Sequence, residues 1–248
     1  MWLTGWYPVY LRELLLFRHK CLRPGYLVSA ALVPLLYLGV FGLGLGRSVR
    51  LGNSEYLSFL LPGLIAMTSM TNSYAWVASA LCLNRLHSRT FQLLIQAPVS
   101  ATAIMVGEVL SGMTKGLFAA ALLIGMGLCL SRDFRLTPLM IAATLGNSCL
   151  FASLGVITGL LARSHEETST YNNFLILPMA FFSGTFFPLD DLPVVLKGII
   201  VLLPLSQTTL LMRKAAVDGP AVCALLAIAA YTGLFLLVGI RRIQQYSE

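Results

Sequence analysis

The stretch whose reading decides the fold is 56-YLSFLLPGLIAMTSMTNSYAWVASALCLN-84, which contains no Asp, Glu, Lys or Arg. A bilayer core about 30 Å thick needs roughly 20 predominantly apolar residues per helical crossing, so this run is long enough to span. Backbone N–H and C=O groups must be satisfied inside the segment when the solvent is lipid, and a helix does that alone. Residues 24–46, 136–162, 168–189 and 219–240 are free of the same four residue types. A further apolar run, 102–130, is interrupted only by Glu108 and Lys115. The expectation is an all-α integral membrane protein with six transmembrane helices and both termini on one side. Val194 to Leu211 is broken by Lys197 and Pro204 and reads as a short or re-entrant element.

Composition agrees. Of 248 residues 57% are hydrophobic and 11% charged, with a mean hydropathy of +0.81, far more apolar than an ordinary soluble domain. The net charge of +7 comes from Lys and Arg standing singly or in pairs at helix ends. That distribution suits snorkelling and anionic headgroups, so membrane lipids are expected partners and nucleic acid is not. Nine basic residues flank the spans on the side of the termini and seven on the other. This favours cytoplasmic termini, and Arg12, Arg18, Lys20 and Arg23 ahead of the first span add weight. No small-residue cleavage site follows a short apolar region, so the first span reads as a signal anchor. Cys21, Cys82, Cys129, Cys149 and Cys223 are odd in number and form no C-x-x-C, which supports neither a disulfide framework nor a zinc site.

Two segments outside the spans carry information. In residues 1–24, Trp2, Trp6, Tyr7 and Tyr10 precede Leu11, Leu14, Leu15 and Leu16, which alternate with Arg12, Glu13, Arg18 and Lys20. That pattern is an N-terminal amphipathic interfacial helix, the alternative being an ordinary flank of the first span. Between the second and third spans, Leu86, Leu93 and Leu94 fall broadly on one helical face, with Phe91 and Ile95 nearby. Arg85, His87, Ser88 and Arg89 are left for solvent, and Pro98 ends the element. Spacing alone leaves two roles open for it, docking into another protein or resting on lipid.

Other local signals concern turns and helix contacts. Gly42 with Gly46, Gly112 with Gly116, and Gly155 with Gly159 have the spacing that lets membrane helices approach closely. The stretch 162-ARSHEETSTYNN-173 reads as a solvated turn with a helix N-cap. In 181-FFSGTFFPLDDLP-193, Pro188 stops the fifth span and Asp190 or Asp191 caps a short helix running to about Leu205. The result is a short external re-entrant helical hairpin after span five.

Catalytic chemistry is missing. No G-x-x-x-x-G-K-[ST] phosphate loop occurs, so any dependence on ATP requires a partner chain. His19, His87 and His165 are far apart with no H-E-x-x-H, which leaves no metal site. Ser183-Gly184 resembles the serine of intramembrane proteases, but no span contains a His to act as base. The expectation is no enzyme, no catalytic residue and no cofactor in this chain. An ion-gradient-driven secondary transporter is the alternative, and only Glu108 and Lys115 approach the midplane charges it would show.

Five stretches together resemble the type-2 ABC exporter permeases, in the branch that includes the nodulation-factor exporter subunit NodJ. They are YLGVFGLGLG at 37–46, YLSFLLPGLIAMTSMTNSYAWVAS at 56–79, QLLIQAPVSATAIMVGE at 92–108, FASLGVITGLLA at 151–162, and LPMAFFSGTFFPLDDLPVVL followed by LPLSQTTLLMR within 177–213. One departure is that Arg85, His87 and Arg89 stand without the acidic residues common in this segment. The resemblance implies a single transmembrane permease domain over 1–248, with a connecting helix at 1–24, a cytoplasmic coupling helix at 84–98 and external re-entrant helices at 189–205. Coupling to the ATPase would fall to Arg85, Leu86, Arg89, Phe91, Leu93, Leu94 and Pro98. Two permease copies, a homodimer, would pair with two ABC ATPase subunits that hold the ATP and Mg. A bacterial inner (plasma) membrane exporter of glycolipid, oligosaccharide, other lipid or drug is implied.

Two further groups are candidate sites. Phe181, Phe182, Phe186 and Phe187, with Tyr74 and Trp76, are expected to line the outer part of the translocation path, against the alternative of an interfacial aromatic belt. Glu108 and Lys115 are intramembrane charges seven residues apart, hence on one helical face and roughly 10 Å apart, a protein-facing stripe.

Overall fold

The computed structural model describes residues 5–21, 32–33, 35–45, 50–51, 54–131, 134–189, 192–214 and 216–246. Helix α1 is Trp6–Cys21, followed by a π-helical segment, Leu38–Leu45, and the two-residue antiparallel strands β1 (Arg50–Leu51) and β2 (Ser54–Glu55). Then come α2 (Tyr56–Leu86), α3 (Thr90–Gln96), α4 (Ala101–Leu130), α5 (Pro138–Leu161) and α6 (His165–Tyr171). A second π-helical segment, Asn172–Ile176, leads into α7 (Leu177–Phe182), and α8 (Val194–Val201), α9 (Pro204–Met212) and α10 (Gly219–Gln244) complete the order. Apart from this small β-hairpin ahead of α2, the regular elements among the described residues are helical, as an all-α fold requires. Pro34, Gly46, Arg47, Arg132, Asp190 and Asp191, which carried parts of the sequence reading, lie outside the described residues, as does the first part of the first expected span, residues 24–31.

The long helices begin where side chains satisfy orphan N–H groups. Ser100 caps α4 by accepting from Ala103 N–H at 3.2 Å, Thr137 caps α5 from Met140 N–H at 3.1 Å, and Asp218 caps α10 from Ala221 N–H at 2.9 Å. By length and composition α4, α5 and α10 can each cross a membrane, and the pair α8–α9, bent by 94°, makes a fourth if it is one span. Helix α2 is longer than any of them at 31 residues, yet its centre, Thr68-Ser-Met-Thr-Asn-Ser73, is polar. Those side chains turn back onto their own helix, as when Asn72 donates to the Thr68 carbonyl and Ser73 to that of Ser69.

The expected fifth span is not one α-helix. Its helical run from His165 to Phe182 passes through the second π-helical segment, where Leu177 N–H donates to the Asn172 carbonyl five residues back. Pro178 supplies the reason: it has no N–H and crowds the preceding turn, and a wider turn relieves both. The element expected over 189–205 is in fact α8 plus the first residues of α9, which continues to Met212 and turns inward against α2, α5 and α10.

Helix α2 is the axis of the bundle and packs most extensively on α5 and α4. Glycines make that possible: a Cβ at Gly116 would lie 2.8 Å from the Ser69 carbonyl oxygen, at Gly155 2.8 Å from that of Tyr74, and at Gly159 2.9 Å from that of Ala78. Asn147 of α5 adds a buried polar tie, donating to the Ala66 carbonyl (2.9 Å) and Ser69 Oγ (2.6 Å) while accepting from Thr208 of α9 (3.0 Å). With no bulk water available, such a bond is exchanged only for another protein partner.

Candidate functional site

Three side-chain groups stand out. The first is a buried charge cluster between α1, α2 and α4. Val9, Glu13 and Phe17, at intervals of four, form the buried stripe of α1, and Gly107 of α4 sits against Val9 and the Trp6 carbonyl. Glu13 is fully buried and meets Arg12 at 2.9 Å and Lys115 at 3.6 Å, while Arg12 reaches Glu108 at 3.3 Å. Trp76 donates its indole N–H to Glu13 at 3.2 Å, and its ring carries the Lys115 ammonium 3.4 Å from the centroid. Each carboxylate thus faces a cation, the condition under which buried charge is tolerated.

Glu108 and Lys115 both face protein, but they are joined through Arg12 and Glu13 of α1 rather than to each other. The amphipathic reading of α1 counts Glu13 among the charged residues that alternate with the leucines, and the structure separates them differently: Glu13 is interior while Leu15 and Leu16 are exposed. The signal was present, since a four-residue spacing sets Glu13 on the stripe of Val9 and Phe17.

The cluster forms one wall of a groove of about 840 Å³. Thr68, Thr71, Asn72 and Asn84 of α2 continue the polar wall, and Leu16, Val33, Met67 and Leu177 give an apolar one. Leu177 also borders the second group, an apolar hollow of about 600 Å³ walled by Phe41, Pro178 and the four phenylalanines Phe181, Phe182, Phe186 and Phe187. Phe186 is the hub, 5.4 Å from Phe181, 4.7 Å from Phe41 and 5.6 Å from Tyr37 between ring centroids.

That hollow exists because the Phe-rich turn is pinned. Gly184 has φ +72°, a conformation glycine adopts without strain. Around it Thr209 donates to the Ser183 carbonyl (2.8 Å), Arg213 to that of Gly184 (2.7 Å) and Tyr56 to that of Phe186 (2.8 Å). Arg213 also stacks 3.7 Å over the Phe59 ring. Tyr74 and Trp76 do not join these phenylalanines. Tyr74 is fully buried in the bundle core and half-buried Trp76 stands with the charge cluster on the wall of the groove, because α2 carries the two to different faces, away from the turn after α7.

The third group is at the opposite end of the bundle, where α2 ends at Leu86 and α3 occupies Thr90–Gln96, ahead of Pro98. Leu86, Leu93 and Arg89 are exposed and Leu94 is half-buried. Two expectations for this segment are corrected. Phe91 is fully buried, so it anchors α3 to the bundle instead of facing a partner. Arg85 is also buried, donating to the carbonyls of Gly159, Leu160 and Ala162 at the end of α5, where orphan acceptors attract a guanidinium.

A helical membrane bundle with a groove of mixed polarity, no phosphate loop and a short helix exposed at one end has the parts of a transport permease subunit. Comparison with known proteins gives the same class. Residues 12–216 match the ABC-2 type transporter family. The chain is 30% identical over 220 residues to Nodulation protein J of Rhizobium leguminosarum bv. trifolii, covering 88% of this chain and 83% of that protein. It is 31% identical over 183 residues to the inner membrane transport permease YadH of Escherichia coli K12, covering 72% of this chain and 70% of that one. The chain belongs to the ABC-2 type transporter family and is a transmembrane permease of it.

Proposed function

We propose that this chain is the membrane-spanning half of an ATP-driven exporter that moves an amphipathic or lipid-linked molecule, with a glycolipid or oligosaccharide conjugate as the leading cargo class. In this reading the chain crosses the bacterial inner membrane six times, both termini are cytoplasmic, and residues 189–205 re-enter from outside. Two copies form the path and two ABC ATPase subunits bring ATP and Mg. The groove supports such a cargo: a polar wall at Asn72 and Lys115 suits a headgroup, and the phenylalanine hollow that shares Leu177 suits an acyl chain.

The observation that carries the reading is α3, a seven-residue helix that presents Leu93 outward at 66% exposure on a chain with no ATP site of its own. An apolar residue with a polar surround is what a docking contact requires. To test it, the tagged permease is purified under mild conditions and co-purifying proteins are sequenced. ATP hydrolysis is then measured against a panel of neutral glycolipid, phospholipid and lipophilic cation. The expected result is a phosphate-loop ATPase stimulated by at least one lipid class. The ion-gradient alternative draws on the buried charges, but each is already paired. It would be favoured if no ATPase co-purified and transport into proteoliposomes collapsed with a protonophore.

A further inference from the structure

We propose that Tyr246, just beyond the C-terminus of α10, is a positioning residue for α3: it fixes how Leu93 is presented and ties α3 to the two long helices α5 and α10. The inference rests on reading α3 as the surface that meets the ATPase.

A helix of two turns has little stability of its own, because nucleation costs more than so few hydrogen bonds return. Its connections are not stiff helices either. Arg89, directly before it, has φ +51°, and α3 ends at Gln96 with an extended Ala97 ahead of Pro98. What holds α3 is side-chain contact. The Phe91 ring meets the Tyr246 ring edge-to-face, 5.2 Å between centroids and at 88°. The Arg85 guanidinium lies 5.1 Å over that same Tyr246 ring, and its Nε donates to the Tyr246 hydroxyl at 3.1 Å. Arg85 Nη1 is meanwhile bonded to the last carbonyls of α5, and Gln92 of α3 donates to the Arg85 carbonyl at 3.3 Å. Beneath them Phe91 shares an apolar cluster with Leu81, Ile104, Met105 and Ile243. A push on Leu93 therefore passes through Phe91 and Tyr246 into α10, and through Arg85 into α5.

Hydrogen exchange on the full chain in lipid nanodiscs tests this, comparing wild type with Tyr246→Ala and Tyr246→Phe. Tyr246→Ala is expected to speed exchange of amides 90–96 about tenfold, with the interiors of α2 and α5 unchanged. Tyr246→Phe, which keeps the ring contacts, is expected to restore most of the protection. In the co-purified complex, ATP with vanadate is expected to shift exchange within α10, residues 219–244, in wild type and not in Tyr246→Ala, with the ATPase still bound; an equal shift in both overturns the proposal. Wild-type exchange at 90–96 in Tyr246→Ala overturns the proposal. Uniformly faster exchange along the chain also overturns it, marking Tyr246 as a general stability residue. Failure of any ATPase to co-purify sinks the reading of α3 as a docking surface, while the comparison at 90–96 still decides Tyr246.

Discussion

The Lys115 ammonium rests 3.4 Å from the centroid of the Trp76 ring, on the same indole whose N–H is donated to Glu13. One aromatic residue thus contacts both halves of a buried ion pair, and it does so where α1 meets α2 and α4. The energetic consequence is asymmetric, because removing one member leaves the other charged and buried.

Lys115→Met is expected to destabilise the permease by about 3–5 kcal/mol, measured as denaturant unfolding in detergent micelles. Adding Glu13→Gln to it is expected to recover part of that loss, since Arg12 then has one buried carboxylate, Glu108, to neutralise instead of two. A Lys115→Met protein as stable as wild type would show that the cluster contributes nothing.

Trp76 and Phe182 separate in the same way. Trp76→Ala removes the indole donor to Glu13 and the ring under Lys115, so it is expected to lower stability like Lys115→Met, though by less, about 1–3 kcal/mol. Phe182 is 54% exposed at the hollow, and Phe182→Ala is expected to leave unfolding unchanged while weakening lipid stimulation of the co-purified ATPase. Stimulation equal to wild type in Phe182→Ala would remove the hollow from the transport path.

At the coupling segment Leu93→Asp and Phe91→Asp are expected to fail differently. Leu93 faces outward, so the aspartate is tolerated in the fold and the ATPase is lost from the purified complex. Phe91 is buried, and a carboxylate there costs more than about 3 kcal/mol, seen as reduced yield and thermal stability before any question of docking arises. Retention of the ATPase at normal stoichiometry by Leu93→Asp would rule out Leu93 as the docking anchor.

Two glycines on one helix provide an internal control for the packing. A side chain at Gly116 would press on the Ser69 carbonyl, whereas among the described residues nothing lies within 4 Å of the Cβ position at Gly125. Gly116→Val is expected to cost about 1–3 kcal/mol by forcing α2 and α4 apart, and Gly125→Val close to nothing, both read from unfolding curves. Equal effects would mean that close approach is not what Gly116 provides.

Much of the membrane architecture was legible from charge-free length, because the dielectric penalty on charge in lipid acts on composition alone, whatever the neighbours are. The α4, α5 and α10 runs appear at 102–130, 136–162 and 219–240 to within a few residues. The small-residue pairs on α4 and α5 mark real close contacts for the same reason: only Gly lets a backbone carbonyl approach so near. Partner identities were beyond that reach. Sequence alone marks Glu13 only as one charge of an amphipathic helix, whereas α4 supplies Lys115 as its partner and Arg12 bridges to Glu108. It marks Arg85 as a docking residue, whereas the end of α5 offers it three carbonyls. Aromatic type alone groups Tyr74 and Trp76 with distant phenylalanines, whereas helical geometry sends Tyr74 into the core and Trp76 to the wall of the groove. Sequence by itself determined which long runs are apolar enough to cross a bilayer, as in α4, α5 and α10, since transfer free energy is a sum over residues. Tertiary structure alone decided which charges are neutralised and which leucines remain outward, since those depend on pairwise distances between residues up to 161 positions apart, as in the bond from Arg85 to Tyr246.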